Sequence, residues 1–229
     1  MKISFIIPTI NERNNIYPTF IGISKILVNY KYEIIFVDDG SDDGTIDKIS
    51  ELMKFNDNVK LYKRNSNKGL SSAIGYGFDN SSGNVLAVID ADLSYDFEAI
   101  PAMIKSINSG SDIVLGSRYL IKHSTSQFSV NRKFISSVAT FLSRINLKKP
   151  LTDPLTGYGM LKKEIYNDNK NLMKFVGFKF LYELIVVSKT NKISEVHTFF
   201  KDRIVGKSKF SLIEIYNFIF LVIFLKISK

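Results

Sequence analysis

The sequence predicts an α/β fold, a single domain on a mostly parallel, doubly wound central sheet with helices on both faces. Two observations carry this expectation. Short apolar runs rich in branched residues recur along the first half of the chain, each separated from the next by a longer stretch with apolar residues at helical spacing. Unusual polar segments then fall directly after three of those runs, PTINE after the first, DDGSDDGT after the second and DADLSYD after the fourth, at the carboxyl ends of strands, where such sheets collect ligands.

Taken in order, ISFII (3–7) reads as the first strand and 12–29 as the first helix. EIIFV (33–37) precedes a helix near 44–55, NVKLY (58–62) one near 68–80, and NVLAVI (84–89) one near 96–109. DIVLG (112–116) is the fifth strand. Beyond it the pattern loosens. RYLIKHSTSQFS is polar and reads as a loop, and NRKFISSVATFLSRI as an amphipathic stretch. The expected division is a catalytic domain over 1–210 and an amphipathic, membrane- or partner-facing helix over 211–229.

Composition narrows the function. At 229 residues, 45% hydrophobic and 23% charged, the chain has length for one sizeable core. Cysteine is absent, which excludes disulfides, thiol redox chemistry and zinc-thiolate sites. Pro8, Asn11 and Glu12 interrupt the opening apolar run before a signal-peptide core is complete, so the expected location is cytoplasmic, peripheral on the inner face of a membrane. Ile215 to Leu225 is about half the ~20 apolar residues a spanning helix needs, which argues for lying on a membrane or packing on a partner. A net charge of +9 suits nucleotide phosphates or anionic headgroups. No aromatic-basic RNA pattern, zinc finger or helix-turn-helix spacing points to nucleic acid.

The chemistry-bearing clusters begin with VIDADLSYD. Asp90 and Asp92 stand at i and i+2, so on extended backbone both carboxylates project to one side. Paired anions need a cation, and Mg2+ or Mn2+ takes carboxylate oxygens while completing its shell with phosphates and water. An isolated D-x-D also reads as a cap, with Asp92 or Ser94 opening the helix near 96. In DDGSDDGT, Asp39 could accept hydrogen bonds from a base or ribose, while Asp38 and Ser41 to Asp43 suit a turn and an N-cap. Gly69, Ala73 and Gly77 give a helix a smooth packing face, and Lys68 stands unexplained beside it. Arg118, Arg132, Arg203, Lys207 and Lys209 lie where the strand pattern ends, and guanidinium planes recognise phosphate by paired hydrogen bonds.

Eight blocks in order (PTINE, VDDGSDDGT, KGLSSA, DADLS, GSRY, DPLTGYGMLKK, GFKFLYE and FKDRIVGKSKF) resemble the inverting nucleotide-sugar glycosyltransferases of the family 2 type. Within that family they are similar to the polyprenyl-phosphate sugar synthases typified by dolichol-phosphate mannose synthase. The resemblance implies a nucleotide-sugar-binding fold of the GT-A type. It implies that Pro8, Ile10, Glu12, Val37 and Asp39 line the base, and that Asp90, Ala91 and Asp92 hold metal and diphosphate. Arg118, Arg203 and Lys209 would contact phosphates of donor or acceptor, Arg132 and Ser136 would place the lipid phosphate, and Glu183 would stand near the sugar. Ile10 replaces the usual Tyr, Ser94-Tyr95 the common Gln-His, and Gly159 a frequent Arg.

The expected reaction moves a sugar from GDP-mannose or UDP-glucose to a polyprenyl or dolichyl phosphate by one inverting displacement, with Asp92, Arg118, Arg132, Asp153 and Arg203 carrying the chemistry. A phosphate acceptor is already anionic and needs cations to hold it. A hydroxyl acceptor needs a base, for which Asp153 is the candidate, with orienting an arginine as its structural alternative. A glycan-extending transferase and a non-catalytic nucleotide-sugar-binding module are the other readings. The terminal helix could meet lipid, its own domain, a second copy or a membrane subunit.

Overall fold

The structure is a computed structural model of the chain and describes residues 1–121, 130–201 and 212–227, the side chains of 130–136 and 212 excepted. A seven-stranded sheet runs in the order β3-β2-β1-β4-β6-β5-β7. Its strands are β1 (Lys2–Thr9), β2 (Lys31–Asp38), β3 (Val59–Lys63), β4 (Val85–Val88), β5 (Ile113–Ser117), β6 (Gly159–Lys162) and β7 (Ile193–His197). The five expected strands are present within a residue or two. β6 and β7 are additions that no periodic pattern announced.

β1, β2, β3 and β4 pair in parallel, and so do β5 and β7, whereas β6 runs antiparallel to both β4 and β5. The inversion has a consequence for the site. The carboxyl ends of β1, β2, β4, β5 and β7 and the amino end of β6 all open on one edge, so the 153–157 turn joins the loops that follow the other strands.

Helices α1 (Arg13–Ile26), α2 (Thr45–Met53) and α4 (Ala99–Asn108) cover one face, closing a core around Ile3, Phe5, Ile7, Phe36, Ile100 and Met103. Helices α3 (Leu70–Asp79), α6 (Lys163–Asn169) and α7 (Phe180–Ser188) cover the other, around Ile6, Ile35, Val37, Phe78, Leu161 and Phe180. Period-2 alternation along β1 sends Ile6 to one core and Phe5 and Ile7 to the other. α3 approaches closely because of Gly77, where an added Cβ would stand 2.6 Å from the Ile6 side chain.

A third apolar cluster joins α7 to α8 (Leu212–Ile227), through Tyr182, Val186, Phe218, Leu221, Val222 and Leu225, with Ala139 and Leu142 of α5 (Val130–Arg144) packed against it. Asn146 locks it by donating to the Val222 carbonyl at 2.8 Å. α8 differs from the expected amphipathic helix. The side opposite the buried one exposes Ile215, Tyr216, Ile219, Phe220, Ile223 and Ile227, so both faces are apolar. No helix among the described residues is long and apolar enough to cross a membrane.

Candidate active site

A cleft of about 430 Å³ opens along the sheet edge where the loops converge. Pro8, Thr9, Ile10, Glu12, Asp39, Asp90, Ala91, Asp92 and Arg118 line it, together with Leu70, Tyr95, Leu155, Gly157, Phe178, Lys179, Phe200 and Glu214. Strand order fixes the lateral sequence of the strand-end groups: Asp39 after β2, Pro8 to Glu12 at the end of β1, Asp90 to Asp92 after β4, Gly157 before β6, and Arg118 after β5.

At the β2 end the DDGSDDGT loop separates its acids by role. Asp38 is fully buried and accepts from the backbone N–H groups of Gly40 and Ser41, both at 2.9 Å, which closes the turn. Asp43 accepts from the Thr45 N–H at 2.9 Å, where α2 begins. Asp39 alone of the three turns to the cleft, gripped by a residue the sequence reading passed over. Arg64 donates Nε to Oδ1 at 2.7 Å and Nη2 to Oδ2 at 2.8 Å, and the Gly69 N–H adds a bond to Oδ2 at 2.8 Å. This fork fixes the plane of the Asp39 carboxylate and leaves acceptor capacity on Oδ1. Lys68 lies at the same rim, its Nζ 2.6 Å from where a Gly40 Cβ would stand. Val37 was expected beside the base but is 0% exposed, because α3 packs on it through Gly77.

At the centre, the ladder ends at Val88, where β4 pairs with Ile6 and Gly159. One further bond, from the Ile89 N–H to the Ile6 carbonyl at 3.4 Å, ends the pairing and the chain turns at Ala91 and Asp92, so the two acids do not continue the strand as their i, i+2 spacing predicts. Leu93 takes a φ of +59°, a left-handed conformation that costs a leucine roughly 1–2 kcal/mol. Both carboxylates line the cleft all the same. Asp92 accepts from the Ser94 N–H at 3.0 Å, bracing its own turn, while α4 is opened by Asp96, which accepts from Ala99 N–H at 3.1 Å. Gly157 leaves room for the other acid, since a Cβ there would stand 3.3 Å from Asp90 Oδ2.

Two carboxylates in one cleft suit a hard divalent cation only if substrate oxygens and water complete its shell. Among the described residues no cluster of three or more metal-ligating side chains is gathered. The Ser94-Tyr95 position supplies a wall instead of a ligand: Tyr95 is buried, its hydroxyl accepts from the Gly157 N–H at 3.3 Å, and its ring packs on Tyr158 and Phe200. Burial pushes its hydroxyl up to about 12. At Gly159 a side chain would meet the Val114 carbonyl at 2.8 Å, so an arginine has no space there.

On the β5 side, Arg118 donates Nε and Nη2 to Asp153 at 2.6 and 2.8 Å, and its backbone N–H to the same carboxylate at 3.1 Å. Asp153 is fully buried and lies behind the cleft wall, with its own N–H held by Glu195 at 2.9 Å. The geometry is that of an acid orienting an arginine. The guanidinium carbon stands 5.4 Å from the centroids of both Tyr119 and Phe200. Burial works against its charge, but Tyr95 and Asp153 outweigh it and hold the group protonated beyond its ordinary range. Glu183 is buried away from the cleft, accepting from the backbone N–H groups of Lys174 and Phe175. Arg132 and Ser136 belong to α5, with side chains outside the described residues, as are Arg203, Lys207 and Lys209 altogether.

Two further charged groups line the cleft, Lys179 and Glu214. Lys179 immediately precedes α7, donates to the Leu155 carbonyl at 2.9 Å and lies 4.1 Å over the Phe178 ring. Desolvation first, and the nearby Arg118 charge second, bring its ammonium down to about 7, against the pull of Asp153, Asp90 and Glu214. Burial raises Glu214, with Lys179 opposing.

Comparison with known proteins agrees with this architecture. Solved structures of glucosyl-3-phosphoglycerate synthase from Mycobacterium tuberculosis, one of them in complex with Mn2+, UDP-glucose and phosphoglyceric acid, superpose with a TM-score of 0.65 at 18% identity, over 99% of this chain and 79% of that one. At that identity the likeness concerns the fold. A dolichol-phosphate mannosyltransferase from Pyrococcus furiosus is 41% identical over 91% of this chain, which spans 59% of that relative's length. One from Saccharomyces cerevisiae is 33% identical over 92% of this chain and 82% of its own length. Residues 4–169 match the Glycosyl transferase family 2 domain, and with these relatives the match shows that the chain belongs to that family.

Proposed function

We propose that this chain is a glycosyltransferase that moves a hexose from a nucleotide sugar, GDP-mannose or UDP-glucose, to a polyprenyl or dolichyl phosphate at a membrane surface, inverting the anomeric carbon. The observation that carries the reading is the pairing at the β5 end. Arg118 reaches the cleft as a preorganised cation, and the one acid considered as a base for a hydroxyl acceptor, Asp153, is buried and committed to it. An acceptor that arrives as an anion needs no base. It needs a fixed positive group near the anomeric carbon, which Arg118 supplies. The names of the relatives support a lipid-phosphate acceptor.

In this reading the base lies toward Asp39, Pro8, Ile10 and Glu12, and the diphosphate toward Asp90, Ala91 and Asp92. Mg2+ or Mn2+ held by Asp90 and Asp92, when bound, offsets charge building on the departing nucleoside diphosphate. Arg118 orients the incoming phosphate oxygen, assisted by Arg132, Ser136, Arg203 and Lys209 as the resemblance implies. The exposed apolar side of α8, with Ile219, Phe220 and Ile223, lies in the headgroup boundary and brings the cleft to its lipid acceptor.

Incubation with labelled GDP-mannose or UDP-glucose and membranes tests this. Label should enter an organic-extractable, mild-acid-labile product, and EDTA or Asp92→Ala should abolish the transfer. Label confined to water-soluble glycan would exclude the lipid acceptor, and transfer indifferent to EDTA would remove the metal assignment.

A further inference from the structure

Lys179 and Glu214 stand in the cleft without a part in the reading above, and the surroundings of each are specific. The Lys179 ammonium spends one donor on the Leu155 carbonyl at 2.9 Å and lies over the Phe178 ring. As ammonium or as amine Lys179 keeps at least one further N–H, so the anchor fixes its position without exhausting its capacity. Glu214 comes from the first turn of α8. Its Oε2 is buried and has no hydrogen-bond partner among the described residues, a costly state for a carboxylate unless a ligand completes it.

The floor beneath it is built by glycine. Gly177 has φ +68°, and a Cβ there would approach Glu214 Oε2 to 3.4 Å and the Asn217 Cβ to 3.2 Å. The 177–179 segment is tied down from the other side by the Gly177 carbonyl, which accepts from the Ser71 N–H at 3.1 Å. Donor and acceptor therefore come from two elements that meet only in the folded chain.

We propose that Lys179 and Glu214 form the sugar end of the donor site, gripping hydroxyl groups of the transferred hexose. The class of ligand follows from the charges. A second phosphate would be repelled by Glu214, which adds to the negative charge of Asp90 and Asp92. A neutral polyol both donates and accepts: its hydroxyls donate to the unpartnered Glu214 oxygen and accept from the Lys179 N–H left by the Leu155 anchor. Lateral order agrees, because Asp39 and Glu12 stand at the β2–β1 side, the paired aspartates in the middle, and Leu155, the anchor of Lys179, beyond them next to β6. The assignment rests on the donor being a nucleotide sugar.

The test measures equilibrium binding and steady-state transfer for wild type, Lys179→Met and Glu214→Gln, using GDP-mannose and UDP-glucose against GDP and UDP with Mn2+ present. A lost hydrogen bond to a charged group predicts about ten- to a hundredfold weaker nucleotide-sugar binding in each variant, with the bare diphosphate bound within about twofold of wild type. Glu214→Gln preserves shape, and thermal melts confirm that it folds. Equal weakening of sugar-bearing and bare nucleotides would overturn the assignment, as would unchanged binding of both. A collapse of kcat with donor binding intact in Glu214→Gln would make that residue a base and also overturn it. If wild type binds the bare diphosphates but neither nucleotide sugar, the proposed function falls and takes this inference with it. Loss of discrimination in the variants alone counts for the inference.

Discussion

Asp153→Asn is the most informative single perturbation, because it separates an orienting acid from a catalytic one. The carboxylate is fully buried and takes three hydrogen bonds from Arg118, whose side chain is 14% exposed. An asparagine keeps the shape but removes the charge and turns an amide NH2 toward the guanidinium donors. The loss is that of a buried ion pair deprived of one partner, about 3–5 kcal/mol. At about 2–4 °C per kcal/mol for a chain of this size, melting should fall by roughly 6–20 °C. Urea denaturation measures the free energy, and labelled-donor transfer the activity, which should drop with the loss of Arg118 alignment. The double variant Arg118→Met/Asp153→Leu is the control. An apolar pair of similar volume should recover most of the stability, to within about 1–2 kcal/mol of wild type, with no recovery of transfer. A single variant that loses under about 1 kcal/mol, or a double variant no more stable than the single, would refute the account.

At the opposite end of the sheet, burial pushes the Glu33 carboxyl up, but Lys60, Ser4 and Ser82 outweigh it and bring it from 4.5 down to about 2. A depressed carboxyl contributes stability above pH 4.5 or so and loses it as pH falls toward 2, a contribution of about 2–3 kcal/mol allowing for the partly exposed Lys60. Glu33→Gln should flatten that acid limb in urea titrations at pH 2 to 6, and an unchanged limb would assign it elsewhere. On α8, Ile219→Glu with Phe220→Glu should abolish co-sedimentation with anionic vesicles while melting moves by less than about 0.5 kcal/mol equivalent, because both side chains are exposed. Retained vesicle binding would move the membrane contact off this helix.

The strands β1 to β5 were legible because buried parallel strands are short runs of branched residues, and the cleft loops because acids and glycines recur at the carboxyl ends of several of those strands, where a doubly wound sheet gathers its ligands. Asp39, Asp90 and Asp92 were found on that basis and Arg118 as a cation where the strand pattern ends, and all line one cleft. Val37 was misplaced because its neighbour Asp39 faces the cleft while α3, approaching through Gly77, covers the strand before it. Arg64 carried no motif, and only the pairing of β2 with β3 brings it to Asp39.

What the sequence determined by itself is the kind of side chain that stands at each strand end, a local property readable residue by residue. The tertiary structure decided which groups share a wall. β6 inserts antiparallel between β4 and β5, turning the 153–157 segment onto the edge that carries the cleft, and α8 returns Glu214 to a cleft begun at Pro8. Those placements depend on strand pairing and apolar burial between residues far apart in the chain, and the free energy of such contacts belongs to the pair and leaves no mark on either segment alone.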